Sequence, residues 1–376
     1  MSQDCSAKKA GSQSTEQKQP GNRTPGMARI GINGFGRIGR LTFRYAWEME
    51  GIEIVAVNEI VGGAETAAYL AQFDSVHGTW SRKCESTSAT AFTVDGKEVA
   101  FSEEKDFTKV DWKGMGVEIV VDCTGKFLSS EVLMPYINEC GVKRVVVSAP
   151  VKEPSVLNVV VGVNDDKLNE SHLICTAASC TTNCIAPVIK VIHEKLGIET
   201  GMITTVHNIT GTQSLVDMPN SKKKDLRRSR SGMLNLAPTS TGSATAVAEV
   251  FPELKGKLNG HAIRVPMLNS SITDMVFNLA RETTVAEVNG LLQDAAAEGA
   301  LAATAEHGEI LGFETRPLVS TDYVNDVRST IVDASSTMVV GGKMLKVYAW
   351  YDNEAGYSMR TAELTRMVAN KFVAGK

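Results

Sequence analysis

No stretch of about 18 consecutive apolar residues occurs in the chain, so no segment reads as a membrane-spanning helix. Positive charge is not in surplus: 39 Lys and Arg stand against 43 Asp and Glu, a net charge of −4. Holding nucleic-acid phosphates takes a strong basic excess, which argues against a dedicated nucleic-acid binder. Cysteine is sparse and odd in number, seven in 376 residues. Free thiols in a reducing compartment, expected to be the cytoplasm, fit that count better than a disulfide framework. What is present is ordinary for a soluble globular enzyme, with 43% hydrophobic, 22% charged and 6% aromatic residues. At roughly 100–200 residues per domain, the length predicts two or three domains.

Residues 1–26 carry no large apolar side chain after Met1. Such a segment cannot offset its ordering entropy, and a disordered tail is expected. It has neither the apolar centre of a secretory signal nor the repeated arginines of a transit peptide, although organelle addressing stays open. From Ala28 the pattern is strand (ARIGI), Gly-rich turn, helix (GRLTFRYAWEME) and strand (GIEIVAVNE). Strands at Val117–Gly125 and Val142–Pro150 bracket a helical SSEVLMPYINEC. This alternation predicts a parallel sheet covered on both faces, an α/β first domain. After Cys180, longer alternating strands (GMITTVHNIT, HAIRVPMLNSSITDMVFNLA and KMLKVYAWYD) mix with helices at 180–196, 241–251 and 285–303. That mixture predicts an α+β second domain with an antiparallel or mixed sheet. Ala355–Val373 reads as one amphipathic helix able to return to the first domain. The expected organisation is a tail (1–26), a first domain (27–179, completed by 353–376) and a second domain (180–352).

The first turn contains G-x-G-x-x-G as Gly34, Gly36 and Gly39. Gly34 permits a tight turn, Gly36 lets backbone approach a diphosphate, and Gly39 allows close packing of helix and strand. The anion then meets free N–H groups at a helix N-terminus. Glu59 ends the next strand, where it can accept from adenosine ribose hydroxyls. A carboxylate there repels a 2′-phosphate, so NAD is expected rather than NADP.

Ser179-Cys180-Thr181-Thr182-Asn183-Cys184 lies between an apolar segment and a helical one. That spacing places Cys180 at a helix N-terminus, where thiol pKa values fall. A thiol of pKa ~8.5 is about 3% ionised at neutral pH, and one near 6 is roughly 90% ionised. Cys123, Cys140 and Cys175 read as buried, inert thiols. His172, Cys175, Cys180 and Cys184 have no metal-ligand spacing, and no metal is expected. His207, in the strand that follows the Cys180 helix, is the candidate base.

ASCTTNC, the strand histidine, INGFGRIG and WYDNEAGYS together resemble the phosphorylating glyceraldehyde-3-phosphate dehydrogenases, from about Ala28 to Phe372. The resemblance implies a Rossmann NAD-binding domain, a catalytic domain and a homotetramer. It assigns Cys180 as nucleophile and His207 as base. It sets Phe35, Gly36, Arg37 and Ile38 around the NAD diphosphate, Glu59 on the ribose, Thr124 and Ser148 in loops flanking the cofactor, and Asn353 on the nicotinamide amide. Thr210, Thr212 and Arg264 match one phosphate subsite; Ser179, Thr181, Thr241, Gly242 and Arg230 match the other. Two anion sites beside one thiol suit a phosphorylated aldehyde and inorganic phosphate, which arginines and hydroxyls bind well.

Ile60 and Asp217-Met-Pro219 match the NAD-using members. Three positions depart from the pattern: Glu59 stands for the commoner aspartate, Ala355 for a frequent tryptophan, and the loop PNSKKKDLRRSR is longer than usual. Lys222–Lys224 in that loop read as a solvated basic surface. Alternatives are erythrose-4-phosphate dehydrogenase, which Glu59 resembles slightly, and an arsenate-handling member, which NEIVGG and PVKEPSVLNVVVGVND resemble. A non-catalytic NAD-binding scaffold is the rival from another class.

Overall fold

The structure, a computed structural model, describes residues 26–220 and 225–374. All but the last residue of the expected tail, and Lys222–Lys224, lie outside them. The described strands form two sheets. The first contains β1 (Ala28–Asn33), β2 (Ile52–Asn58), β3 (Cys84–Ser88), β4 (Ala91–Val94), β5 (Lys97–Ser102), β6 (Ile119–Asp122), β7 (Arg144–Val147), β8 (Leu157–Asn158) and β9 (Ile174–Thr176). Their order is β3-β4-β5-β2-β1-β6-β7-β9-β8. β1 runs parallel to β2 on one side and to β6 on the other, so a cleft opens beyond its carboxyl end. Ile119 and Val121 join one apolar cluster and Val120 another, as alternate residues of a strand covered on both faces must.

This Rossmann sheet is mixed, not all parallel, because β3, β4 and β5 pair antiparallel. The exposed, polar β3 has no apolar run to betray it. The β4–β5 turn is Asp95-Gly96, both at positive φ (+49° and +82°), a geometry that favours a two-residue hairpin. α1 (Arg37–Trp47) and α2 (Gly63–Gln72) follow β1 and β2. The single helix expected over SSEVLMPYINEC is two short ones, α3 (Ser130–Leu133) and α4 (Pro135–Asn138). Pro135 cannot donate to a preceding carbonyl, so the helix restarts there.

α5 (Cys180–Leu196) leads into the second sheet, followed by β10 (Ile198–His207), β11 (Ala237–Ser240), α6 (Ser243–Val250), β12 (Leu258–Arg264), β13 (Ser271–Leu279) and α7 (Val285–Ala297). β14 (Leu311–Glu314), β15 (Thr330–Asp333), β16 (Met338–Val340) and β17 (Met344–Tyr351) complete it. The order is β11-β12-β10-β13-β17-β15-β14, with β16 paired to β17. The stretch expected as one strand, HAIRVPMLNSSITDMVFNLA, is β12 and β13 joined by a turn with Ser270 at φ +62°.

The C-terminal helix α8 (Ala355–Phe372) packs on α1. It is not amphipathic. Tyr357, Arg360, Leu364, Met367 and Val368 are all buried, because α5, β6 and β7 also contact it. Its start is tied to α1 and the segment after α2 by charged side chains: Arg37 pairs with Asp74 and Glu354, and His77 Nε2 lies 2.9 Å from Glu354. Among the described residues no helix is long and apolar enough to cross a membrane.

Candidate active site

The first cleft forms where β1 hands over to α1. Gly34 has φ +91°, and a Cβ on it would stand 2.8 Å from Thr124 N. A Cβ on Gly39 would stand 2.1 Å from Gly34 O, closer than any side chain permits. Gly36 is different. It is the N-cap of α1, no side chain caps the helix, and nothing lies within 4 Å of its missing Cβ. An uncapped helix N-terminus facing open space is an anion site. The cleft, of about 230 Å³, is lined by Asn33, Gly34, Gly36, Glu59, Ile60 and Thr124 among others.

Glu59 accepts from the N–H groups of Phe35 and Ile60, both at 2.7 Å, and is pinned at the edge of this cleft. The residues fit a dinucleotide: a bare turn for the diphosphate and a fixed carboxylate for a ribose. Other expected residues contribute less than their side chains suggest. The Phe35 ring packs on Phe43 and Phe92, the Arg37 guanidinium is committed to Asp74 and Glu354, and Ile38 packs on the core. Only their backbones can face a diphosphate. The Thr124 hydroxyl donates to Asp122. Ser148, just after β7, donates its N–H to Asp122 O and does not line the cleft. Asn353 is buried and accepts from Ser271 Oγ at 3.1 Å. Ile60 lines the cleft, but Asp217 and Pro219 lie on an exposed loop away from it.

The thiol is built by a sharp turn after β9. Ala178 has φ +53°, a left-handed conformation that costs a non-glycine residue about 1–2 kcal/mol. Asn183 Nδ2 holds the turn by donating to Ala177 O (2.8 Å) and Ser179 O (2.9 Å). Ser179 caps α5 by accepting from Thr182 N, which leaves Cys180 as the first helical residue. His207, the last residue of β10, brings Nε2 to 3.7 Å from Cys180 Sγ. Its Nδ1 lies 2.9 Å from Asn208 O and 2.8 Å from Arg264 Nη1. When Nδ1–H donates to Asn208 O, Nε2 is the lone-pair nitrogen that faces the sulfur.

The lowered thiol pKa expected at the helix N-terminus is not what the free pocket produces. Burial pushes the Cys180 thiol up and outweighs Arg264, Thr181 and the local N–H groups, which pull it down. Burial, and then the Arg264 charge, bring His207 down to about 3. The resting pair is therefore a protonated thiol beside a neutral imidazole. Tyr351 supports both members. Its ring stands edge-on to His207 (6.0 Å, 83°), and its hydroxyl meets Thr181 (3.0 Å) and Thr205 (2.8 Å).

The thiol opens into a second cleft of about 280 Å³, lined by Ser179, Thr181, Thr210, Thr212, Arg228, Thr241, Gly242 and Arg264. Arg264 ends β12 directly beside His207, its register partner in β10. Its Nε is buried without a hydrogen-bond partner, and burial and the neighbouring Arg228 both press its pKa down. A bound dianion would relieve both. Arg228 Nη1 donates to Thr212 Oγ1 at 2.7 Å, and Thr212 meets Thr210 at 2.9 Å. Opposite them, Ser179 and Thr241 hydroxyls converge on Ser243 Oγ, both at 3.1 Å. The Thr181 hydroxyl turns away toward Tyr351.

Arg230 is corrected by this geometry. Its side chain is 64% exposed and donates to Asp217 at 2.6 Å, outside the cleft. Residues 226–229 form a single 3₁₀ turn that buries Arg228 and throws Arg230 outward. Arg228, Ser243 and Tyr351 were assigned no role from the sequence, although Tyr351 lies in WYDNEAGYS and left a further signal. Alternate residues Leu345, Val347, Ala349 and Tyr351 face inward in β17, and a tyrosine on a buried face needs a partner for its hydroxyl.

Residues 28–130 match the model for the glyceraldehyde 3-phosphate dehydrogenase NAD binding domain, and residues 179–353 match that for the C-terminal domain. This chain belongs to the glyceraldehyde-3-phosphate dehydrogenase family. It is 54% identical over 342 residues to "Glyceraldehyde-3-phosphate dehydrogenase 3" of a Nostoc species, covering 91% of this chain and 98% of the relative. It is 47% identical over 344 residues to the Geobacillus stearothermophilus glyceraldehyde-3-phosphate dehydrogenase, with the same coverage. A Bacillus subtilis relative, "Glyceraldehyde-3-phosphate dehydrogenase 1", is 46% identical over 344 residues, again 91% and 98%.

Proposed function

We propose that this chain oxidises D-glyceraldehyde 3-phosphate to 1,3-bisphosphoglycerate with NAD and inorganic phosphate, through a thioester on Cys180, in glycolysis or its reversal. One observation carries the reading: a thiol–imidazole pair at 3.7 Å opens into a cleft furnished on two sides for anions. His207 Nε2 takes the Sγ proton as sulfur adds to the aldehyde carbon. The Cys180 N–H, at the start of α5, stabilises the oxygen that becomes negative. His207 returns the proton to that oxygen, giving a hemithioacetal, and removes it again as the carbon is oxidised to the thioester.

NAD, held by the Gly34–Gly39 turn, Glu59, Ile60 and Asn353, supplies the hydride acceptor. A phosphate oxygen then bonds to the thioester carbon, the C–S bond breaks, and His207 reprotonates the departing thiolate. Erythrose-4-phosphate dehydrogenase, arsenate handling and a non-catalytic scaffold are not favoured, because the relatives are glyceraldehyde-3-phosphate dehydrogenases.

Arg228, Thr212 and Thr210 are hydrogen-bonded in series, Arg264 lines the same cleft, and the four would hold the substrate's own phosphate. A charge-assisted contact to phosphate contributes about 1.5–3 kcal/mol, roughly 10–150-fold. Arg264→Ala is therefore expected to raise KM for the triose phosphate by that range, with a smaller effect on KM for inorganic phosphate. Arg230→Ala should leave both constants within about twofold, as a surface ion pair contributes little. Steady-state kinetics with each substrate varied would sink this assignment if Arg230→Ala proved the more damaging.

A homotetramer accords with the exposed apolar side chains Leu215, Val216, Met218, Leu226, Leu234 and Leu236, more than an isolated chain ordinarily leaves in one region. Sedimentation would give the assembled mass. A reducing compartment such as the cytoplasm suits six described cysteines that are all free.

A further inference from the structure

The two sides of the anion cleft differ in charge. Thr210 and Thr212 are accompanied by Arg228 and Arg264, whereas Ser179, Thr241 and Gly242 bring hydroxyl and N–H groups without a guanidinium. Lys152, on the connection from β7 to β8, lines the same cleft. Its Nζ lies 3.8 Å from the point where a Cβ would stand on Gly242, so the charge sits at the side that lacks an arginine.

The backbone beneath this lysine is fixed. Asn158 accepts from Val151 N at 3.1 Å and donates to Val151 O at 2.8 Å, while its Oδ1 also takes the Thr176 hydroxyl at 2.7 Å. Asn158 serves a second purpose. Glu249 is the one carboxylate among the described residues that line the cleft, and Asn158 Nδ2 donates to it at 2.9 Å. No ion pair joins Lys152 to it or to any other described carboxylate. An exposed ammonium on a fixed backbone, with the nearby acid otherwise engaged, is available to an incoming anion.

We propose that Lys152 is the cationic member of the attacking-phosphate subsite, binding inorganic phosphate against Gly242 and the hydroxyls of Ser179 and Thr241. This rests on the reading that phosphate attacks the thioester from that side. A lysine suits the task, because a mobile point charge can follow a dianion from solvent inward, where a bidentate arginine would fix it. Lys152 touches the attacking anion only and takes no part in forming the thioester.

The test uses the full chain with NAD and triose phosphate saturating and inorganic phosphate varied. Lys152→Ala should raise KM for phosphate about 3- to 20-fold, the range spanned by exposed to partly desolvated charge contacts. Lys152→Arg should recover most of the loss, and Lys152→Glu should exceed it. KM for the triose phosphate and the amplitude of NADH formed without phosphate should stay unchanged. Arsenate in place of phosphate should show the same loss, since the ammonium reads charge.

The proposal is overturned if KM for phosphate is unaltered in Lys152→Ala, or if KM for the triose phosphate rises equally. Thr241→Val separates the two failures. If it raises KM for phosphate while Lys152→Ala does not, the subsite stands without the lysine. If neither variant changes it, phosphate does not enter on that side.

Discussion

Cys180→Ser is expected to lower turnover by at least about 10⁴-fold while NAD affinity stays within about threefold. Serine replaces sulfur by oxygen with little change in shape, so the Ser179 cap and the Asn183 clamp that build the turn are retained. What is lost is a group that His207 can deprotonate and that leaves readily from an acyl carbon. The dinucleotide cleft is built by different elements, the β1–α1 turn and the end of β2, so its affinity has no reason to fall. Isothermal titration with NAD beside a turnover assay reads both quantities. Residual activity within tenfold of the parent would exclude Cys180 as the nucleophile.

His207→Asn is expected to slow thioester formation by about 10²–10⁴-fold, the usual contribution of a general base. The pH profile should change as well. Burial holds both members in their uncharged forms, so the Sγ proton passes to the adjacent Nε2 only as sulfur bonds to the aldehyde carbon. Without that acceptor the thiol must ionise alone, so the residual rate should climb with pH and reach its plateau at more alkaline values than in the parent. Alkylation of Cys180 by iodoacetate, followed from pH 5 to 10, would show the same displacement. An unaltered profile would mean that the base lies elsewhere.

Much of this site was legible before the fold was known, for a physical reason. Glycines at close approaches, a thiol one residue after a serine cap, and a carboxylate at a strand end are local devices. Their positions are signalled by residues within a turn or two. Gly34, Gly39, Glu59 and Cys180 are of this kind. Arg228 and Arg230 are not: both are arginines of one loop, and only the 3₁₀ turn at Leu226–Ser229 decides which faces inward.

The direction in which burial shifts the thiol is hidden in the sequence for a related reason. A helix N-terminus is visible in sequence, whereas the burial that overrides it depends on the whole second sheet. The same holds for α8, which the sequence presents as one amphipathic helix with polar residues that include Arg360 and Glu363. In the fold they lie buried beside each other, Arg360 Nε 2.8 Å from Glu363, and Glu363 accepts from Gly308 N. The antiparallel β3–β5 extension was hidden by polarity, although Asp95-Gly96 marked its hairpin.

The claim that a thioester on Cys180 stands between two separate anion sites is tested most directly in phosphate-free buffer. Mixing the enzyme with NAD and glyceraldehyde 3-phosphate should give a rapid burst of about one NADH per chain, then a halt, as acyl-enzyme accumulates. Peptide mass spectrometry should place the acyl group on Cys180, and added phosphate should restart NADH formation. Steady NADH production without phosphate, or an acyl group on any other residue, would contradict the account.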